Sequence, residues 1–114
     1  MNSTTNRWVK DMRFLVQVLI PVERGNETVA DGSLPKIMGQ ILEDLKPEAA
    51  YFSADEGLRG CHLVVNVDVA SDLPKVAEPF FLAFDAEVRF EPVMIPEDLM
   101  KAGSGMESSA KKYG

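Results

Sequence analysis

Apolar positions along this chain switch between a period of two and a period near 3.6, the repeats of a strand and of a helix. Residues 12–22 (MRFLVQVLIPV) are rich in Val, Ile, Leu and Phe and predict a first strand, weakened at its end by Pro21. Residues 24–33 read as a connector holding Gly25 and Gly32. Leu34, Ile37, Met38, Ile41, Leu42 and Leu45 then fall at i, i+3, i+4, i+7, i+8 and i+11, one face of an amphipathic helix. Ser33 is placed to cap it, Pro35 lies in its first turn, and Lys46 with Pro47 ends it. Residues 49–54 predict a short second strand, Asp55-Glu56-Gly57 a turn, and residues 58–69 a third strand, so that these two form a hairpin. Ser71 or Asp72 caps a second helix, whose apolar face is Leu73, Val76, Ala77, Phe80, Phe81 and Phe84. Pro74 suits its first turn, whereas Pro79 inside the pattern predicts a kink or a fresh start. Residues 87–94 form a fourth strand, at an edge because Pro92 cannot donate to a ladder on both sides. Pro96-Glu97-Asp98 opens a last helical turn that Gly103 closes.

The predicted order is β-α-β-β-α-β, the split βαβ or ferredoxin-like motif. The expected architecture is α+β: a four-stranded antiparallel sheet, first and third strands central, both helices on one face. The domain spans 12–102. Residues 1–11 lack periodicity and read as a flexible arm carrying Trp8, with Met12 an alternative start. Residues 103–114 (GSGMESSAKKYG) read as a flexible tail.

Strand parity separates two faces. Phe14, Val16, Val18 and Ile20 of the first strand, with Cys61, Leu63, Val65, Val67 and Val69 of the third, make an apolar face for the helices. The opposite face is mixed: Arg13, Leu15, Gln17 and Leu19 beside His62, Val64, Asn66 and Asp68. A single copy would leave Leu15, Leu19 and Val64 in water, and a half-apolar sheet face is more often a contact surface than a bare one. A second copy related by a two-fold axis is the simplest cover, giving a dimeric α+β barrel in which Gln17 and Asn66 line the interior.

Charge narrows the partners. Eighteen acidic and 12 basic residues in 114 give a formal net charge of -6, which repels phosphate backbones and argues against nucleic acid. On the third strand, the stretch from Arg59 to Asn66 sits where an RNA-recognition domain carries stacking rings, but Cys61, Leu63 and Asn66 stand in those slots. The one cysteine, Cys61, allows no internal disulfide and suits a reducing, cytoplasmic setting. The longest apolar run, residues 14–22, is broken by Gln17 and too short for a membrane span, so no membrane partner is expected.

MRFLVQVLIPV, LEDLKPEAAYF, LVVNV and AEPFFLAFDAEVRFEPVMIPEDLMKA resemble a family of small uncharacterised bacterial proteins, some of them labelled pantothenate synthetase-like. The resemblance covers residues 12–102. More widely it is to the dimeric α+β barrel proteins, which include muconolactone isomerases, small monooxygenases and proteins of no known activity. It implies a fold and a homodimer, and brings no catalytic motif.

Gln17, Tyr51, His62 and Asn66 are the candidate ligand-binding residues, because amides and a phenol on one sheet face can orient a small polar or aromatic molecule. Tyr51 joins them on parity if Ala50 and Phe52 face the core. Arg89 and Glu91 reach the same face. The competing reading is that these groups only bond each other or water across a dimer interface. His62, the one histidine, is the candidate catalytic base, since imidazole titrates near neutrality. Adjacent Cys61 points to the other face and cannot pair with it. No cofactor is expected, nor a metal: a lone histidine offers no second nitrogen ligand, Asp55-Glu56 lacks a calcium-loop spacing, and Glu43-Asp44 and Glu97-Asp98 read as solvated helix charges. Three functions follow: a dimeric barrel that binds a small molecule, a cofactor-free isomerase or monooxygenase in that barrel, or an interaction module without ligand.

Overall fold

The computed structural model describes residues 12–114. The expected arm, with Trp8, lies outside the described residues. The architecture is α+β, one four-stranded antiparallel sheet with helices. In chain order the elements are β1 (Arg13–Ile20), α1 (Val22–Ala30), α2 (Ser33–Leu45), β2 (Ala49–Asp55), β3 (Leu58–Asn66), a 3₁₀ turn (Ala70–Asp72), α3 (Leu73–Phe84), β4 (Glu87–Val93), α4 (Pro96–Lys101) and α5 (Gly103–Tyr113). Strand order is β2-β3-β1-β4, so β1 and β3 are central and the Pro92 strand is at an edge.

Three departures from the sequence reading have local causes. The connector after β1 is a helix, α1. Its signal is masked by Gly25, a poor helix former that here leaves room for the Arg59 guanidinium against the helix. A Cβ on Gly25 would stand 2.7 Å from Arg59 Nη1. Thr28, buried on the same side, turns its hydroxyl back to the Arg24 and Gly25 carbonyls. At the start of α2 the N-cap is Gly32, in the left-handed region at φ 79°, and Ser33 is already the first helical residue, its amide donating to Asp31 Oδ1 at 2.8 Å. The hydrogen bonds from Ser33 hold the Asp31 carboxyl below its usual range. Finally, residues 103–113, expected as an irregular tail, form α5, in which no residue is buried.

Pro79 lies within α3, which continues past it as one helix from Leu73 to Phe84. Its neighbours Phe80 and Phe84 are fully buried, and burying each stabilises the fold by roughly 1.5–3 kcal/mol. The core joins them to Val76 of α3, Met38 and Ile41 of α2, and Val16, Val18, Ile20, Cys61, Leu63 and Val65 of the central strands. All these strand residues share the parity of the apolar face, so α2 and α3 cover one side of the sheet. Among the described residues no helix is long and apolar enough to cross a membrane.

Burial pushes the Cys61 thiol from its ordinary value near 9.0 up to about 11. The folded chain therefore keeps its proton where the unfolded chain loses it, and stability falls as pH rises between those values. Urea unfolding of the wild type should lose about 1–2 kcal/mol more across that window than Cys61→Ala loses. Equal slopes for the two proteins would show that the thiol does not titrate with unfolding.

Candidate functional site

The uncovered face is organised by register into cross-strand rows. Arg89 of β4, Gln17 of β1, His62 of β3 and Tyr51 of β2 stand opposite one another in a single row that crosses the whole sheet. On one side of it lies the row Glu91, Leu15, Val64 and Ala49, and beyond that Val93, Arg13 and Asn66. On the other side lies Glu87, Leu19, Gly60 and Ser53. Three of the four expected ligand-binding residues thus share one row. Asn66 shares the face but stands two rows away, exposed, opposite Arg13. Glu91 shares the face one row from Gln17.

The β2–β3 hairpin brings a residue to this row that the sequence reading left in a turn. Glu56 and Gly57 both have positive φ, 54° and 78°, the two-residue turn that matches strand twist. Asp55, the last residue of β2, accepts a hydrogen bond on Oδ2 from Gln17 Nε2. His62 Nε2 stands 3.8 Å from the same oxygen. Glu56 reaches further, its Oε2 3.9 Å from Arg89 Nη1 on the opposite edge strand. In a flat sheet those two edge strands would run about 14 Å apart, three interstrand spacings. The hairpin tip therefore bends over the face toward β4.

Gly60 permits this bend. A Cβ there would lie 2.1 Å from the Val18 carbonyl oxygen, so only glycine allows β3 to pass so close to β1. Leu19 leans over the gap, its Cδ2 3.4 Å from the place a Cβ would take. Leu19 is consequently 3% exposed within one chain, which corrects the expectation that a single copy leaves it in water. Leu15 and Val64 remain half-buried.

Polar groups around the row are arranged by charge. Arg89 donates from Nε to Glu87 Oε2 at 2.9 Å, with Nη2 at 2.8 Å from the same oxygen. The Glu87 hydrogen bond and charge, with Glu56 and Asp55 beyond, raise the guanidinium pKa further. Gln17 and His62 are half-buried, whereas Tyr51 is 68% exposed on the edge strand. Cys61 faces the core on the other side of the sheet, away from His62. Among the described residues no group of three or more His, Cys, Asp or Glu is placed to hold a metal ion. The arrangement presents an amide, an imidazole and a phenol on three successive strands, with a carboxylate bonded to the amide and the Arg89 cation on the strand beyond. Such a set can donate to and accept from one small molecule.

Grooves lie away from this row. One of about 420 Å³ lies between α2 and α3, lined by Ile41, Asp44, Leu45, Lys75 and Pro79. Another of about 180 Å³ lies at the end of β1, among Met12, Phe14 and residues 67–73. The first is mostly apolar, with Asp44 and Lys75 its charged lining, and neither contains a histidine or a cysteine.

No family model and no curated protein matches this chain.

Asp55 was hidden in the sequence because Asp-Glu-Gly is a common turn signal. The signal that could have raised it is Gly60, five residues on, which marks a close backbone approach inside a strand. Gly60→Ala should destabilise the fold by about 1–3 kcal/mol, the usual loss on overpacking, measured by chemical denaturation. Unchanged stability would mean that β3 does not pass against the Val18 carbonyl.

Proposed function

We propose that this protein is a homodimeric α+β barrel of ferredoxin-like type, a member of the small bacterial family its sequence resembles. On this reading it binds a small polar or aromatic molecule on the open sheet face and works in the cytoplasm. The central placement of β1 and β3 and the single helical layer support the fold assignment. The lone, buried Cys61 suits the reducing compartment. One observation carries the binding site: Asp55 Oδ2 receives Gln17 Nε2 and faces His62 Nε2, in a row with Tyr51 and Arg89 on an otherwise part-apolar face. Partly buried polar groups on a strand centre cost about 1–3 kcal/mol each if left unpaired, and here they converge on one point. Asn66 is a rim contact rather than a second half of the floor.

A second reading draws on the same geometry. A carboxylate beside an imidazole is the arrangement of a general base with its orienting group. Proton transfer within a bound molecule, as in a cofactor-free isomerase, would place His62 in the base role and Asp55 behind it.

Thermal-shift screening of small carboxylic acids, phenols and lactones tests the site. A true ligand should stabilise the wild type, and Gln17→Leu combined with His62→Leu should abolish the shift. A ligand that stabilises both proteins equally would move the site elsewhere.

The dimer is tested at Val64, half-buried on the same face. The wild type should run as a dimer in light scattering at micromolar concentration. Val64→Glu should be a monomer, since an unpaired buried charge costs several kcal/mol. A monomeric wild type, or a dimeric Val64→Glu, would refute pairing through the sheet face.

A further inference from the structure

The packing of the core and the chemistry of the open face leave Pro79 unexplained. Proline has no N–H, so the Lys75 carbonyl, one turn earlier in α3, has no donor at its usual i+4 position. The helix nonetheless runs on to Phe84. Lys75 and Pro79 both line the groove of about 420 Å³ between α2 and α3. The released carbonyl therefore lies on the side of α3 that borders the groove. A residue that breaks a local rule is expected at functional sites more than elsewhere.

The groove has an apolar floor and charged walls. Ile41 is buried, and Leu45 and Pro79 are half-buried. Asp44 of α2 and Lys75 of α3 are exposed along it. Among the described residues neither makes an ion pair or a side-chain hydrogen bond, with the other or with any neighbour. A recess of about 90 Å³ continues past the same two residues to Asn66 and Asp72. Unspent charges of both signs beside a free carbonyl and an aliphatic floor fit one kind of small molecule, a zwitterion with an apolar branch. Its ammonium group would donate to the Asp44 carboxylate and the Lys75 carbonyl. Its carboxylate would accept from Lys75 Nζ, and its branch would cover Ile41, Leu45 and Pro79.

We propose that this groove is a binding site for a free amino acid with a branched aliphatic side chain. The site shares no residue with the row of Arg89, Gln17, His62 and Tyr51, and it does not depend on pairing through the sheet face.

Calorimetric titration of the full chain with L-leucine tests it, beside two analogues that each lack one charge. Isocaproic acid has no ammonium group and isoamylamine has no carboxylate. Each should bind roughly tenfold more weakly than leucine, the effect of losing one charge-assisted hydrogen bond. Lys75→Ala should weaken leucine and isocaproic acid and leave isoamylamine unchanged. Asp44→Asn should weaken leucine and isoamylamine and leave isocaproic acid unchanged. Pro79→Ala gives the Lys75 carbonyl its helical donor back, and should weaken the two amines alone. The first two side chains are exposed, so their replacement leaves the core intact. Gln17→Leu combined with His62→Leu should bind leucine as the wild type does. Failure of the wild type to bind leucine, or equal binding by wild type, Lys75→Ala and Asp44→Asn, would overturn the site. Loss of binding in the Gln17→Leu, His62→Leu protein would also overturn it, by placing leucine on the open face.

Discussion

The close passage of β3 over β1 at Gly60 is the constraint on which the open face depends. With no side chain at that position, the β3 backbone lies against the Val18 carbonyl. The β2–β3 hairpin can then bend over β1 instead of continuing flat. That bend covers Leu19, carries Asp55 to Gln17 and His62, and brings Glu56 beside Arg89. In a flat sheet the same residues would stand too far apart to meet. Local backbone geometry therefore decides whether scattered polar side chains become a cluster.

The two faces of the sheet answer to different physics. On the helix side, burial is nearly complete and the residues are Val, Leu, Ile, Cys and Phe, so dispersion and the hydrophobic effect hold α2 and α3 in place. Cys61 behaves there as a small hydrophobe whose thiol resists ionisation. On the other side, the polar row is only half-buried, and its ion pairs lie near solvent. Exposed pairs such as Arg89 with Glu87 add little to stability. Stability thus resides in one layer, and chemical variety in the other, with β1 and β3 shared between them.

Leu15 and Val64 sit half-buried between the polar rows of the open face, so this face is neither a core nor a uniformly polar surface. A contact made there covers apolar and polar groups together, which is why the proposed pairing and the proposed ligand site share one surface.

Strand parity and helical spacing made much of this legible from sequence. Val16, Val18, Cys61, Leu63, Val65 and the Leu34–Leu45 pattern specify a sheet with one helical face, because burial enforces a strict period. Pro92 marks the edge strand for want of a donor, and the same parity puts Gln17, Tyr51 and His62 on the opposite face. Helix α1 was not legible, since Gly25 lowers its propensity while serving a close contact with Arg59. Nor was α5, whose serines and glycines read as loop in composition. The meeting of Asp55 with Gln17 lay furthest out of reach. Those residues are 38 positions apart on strands that are not neighbours. Sequence fixes which face a side chain takes, because alternation is a local property of the backbone. How far a hairpin bends over that face depends on one glycine packed against a carbonyl from another strand, and only the tertiary structure decides that.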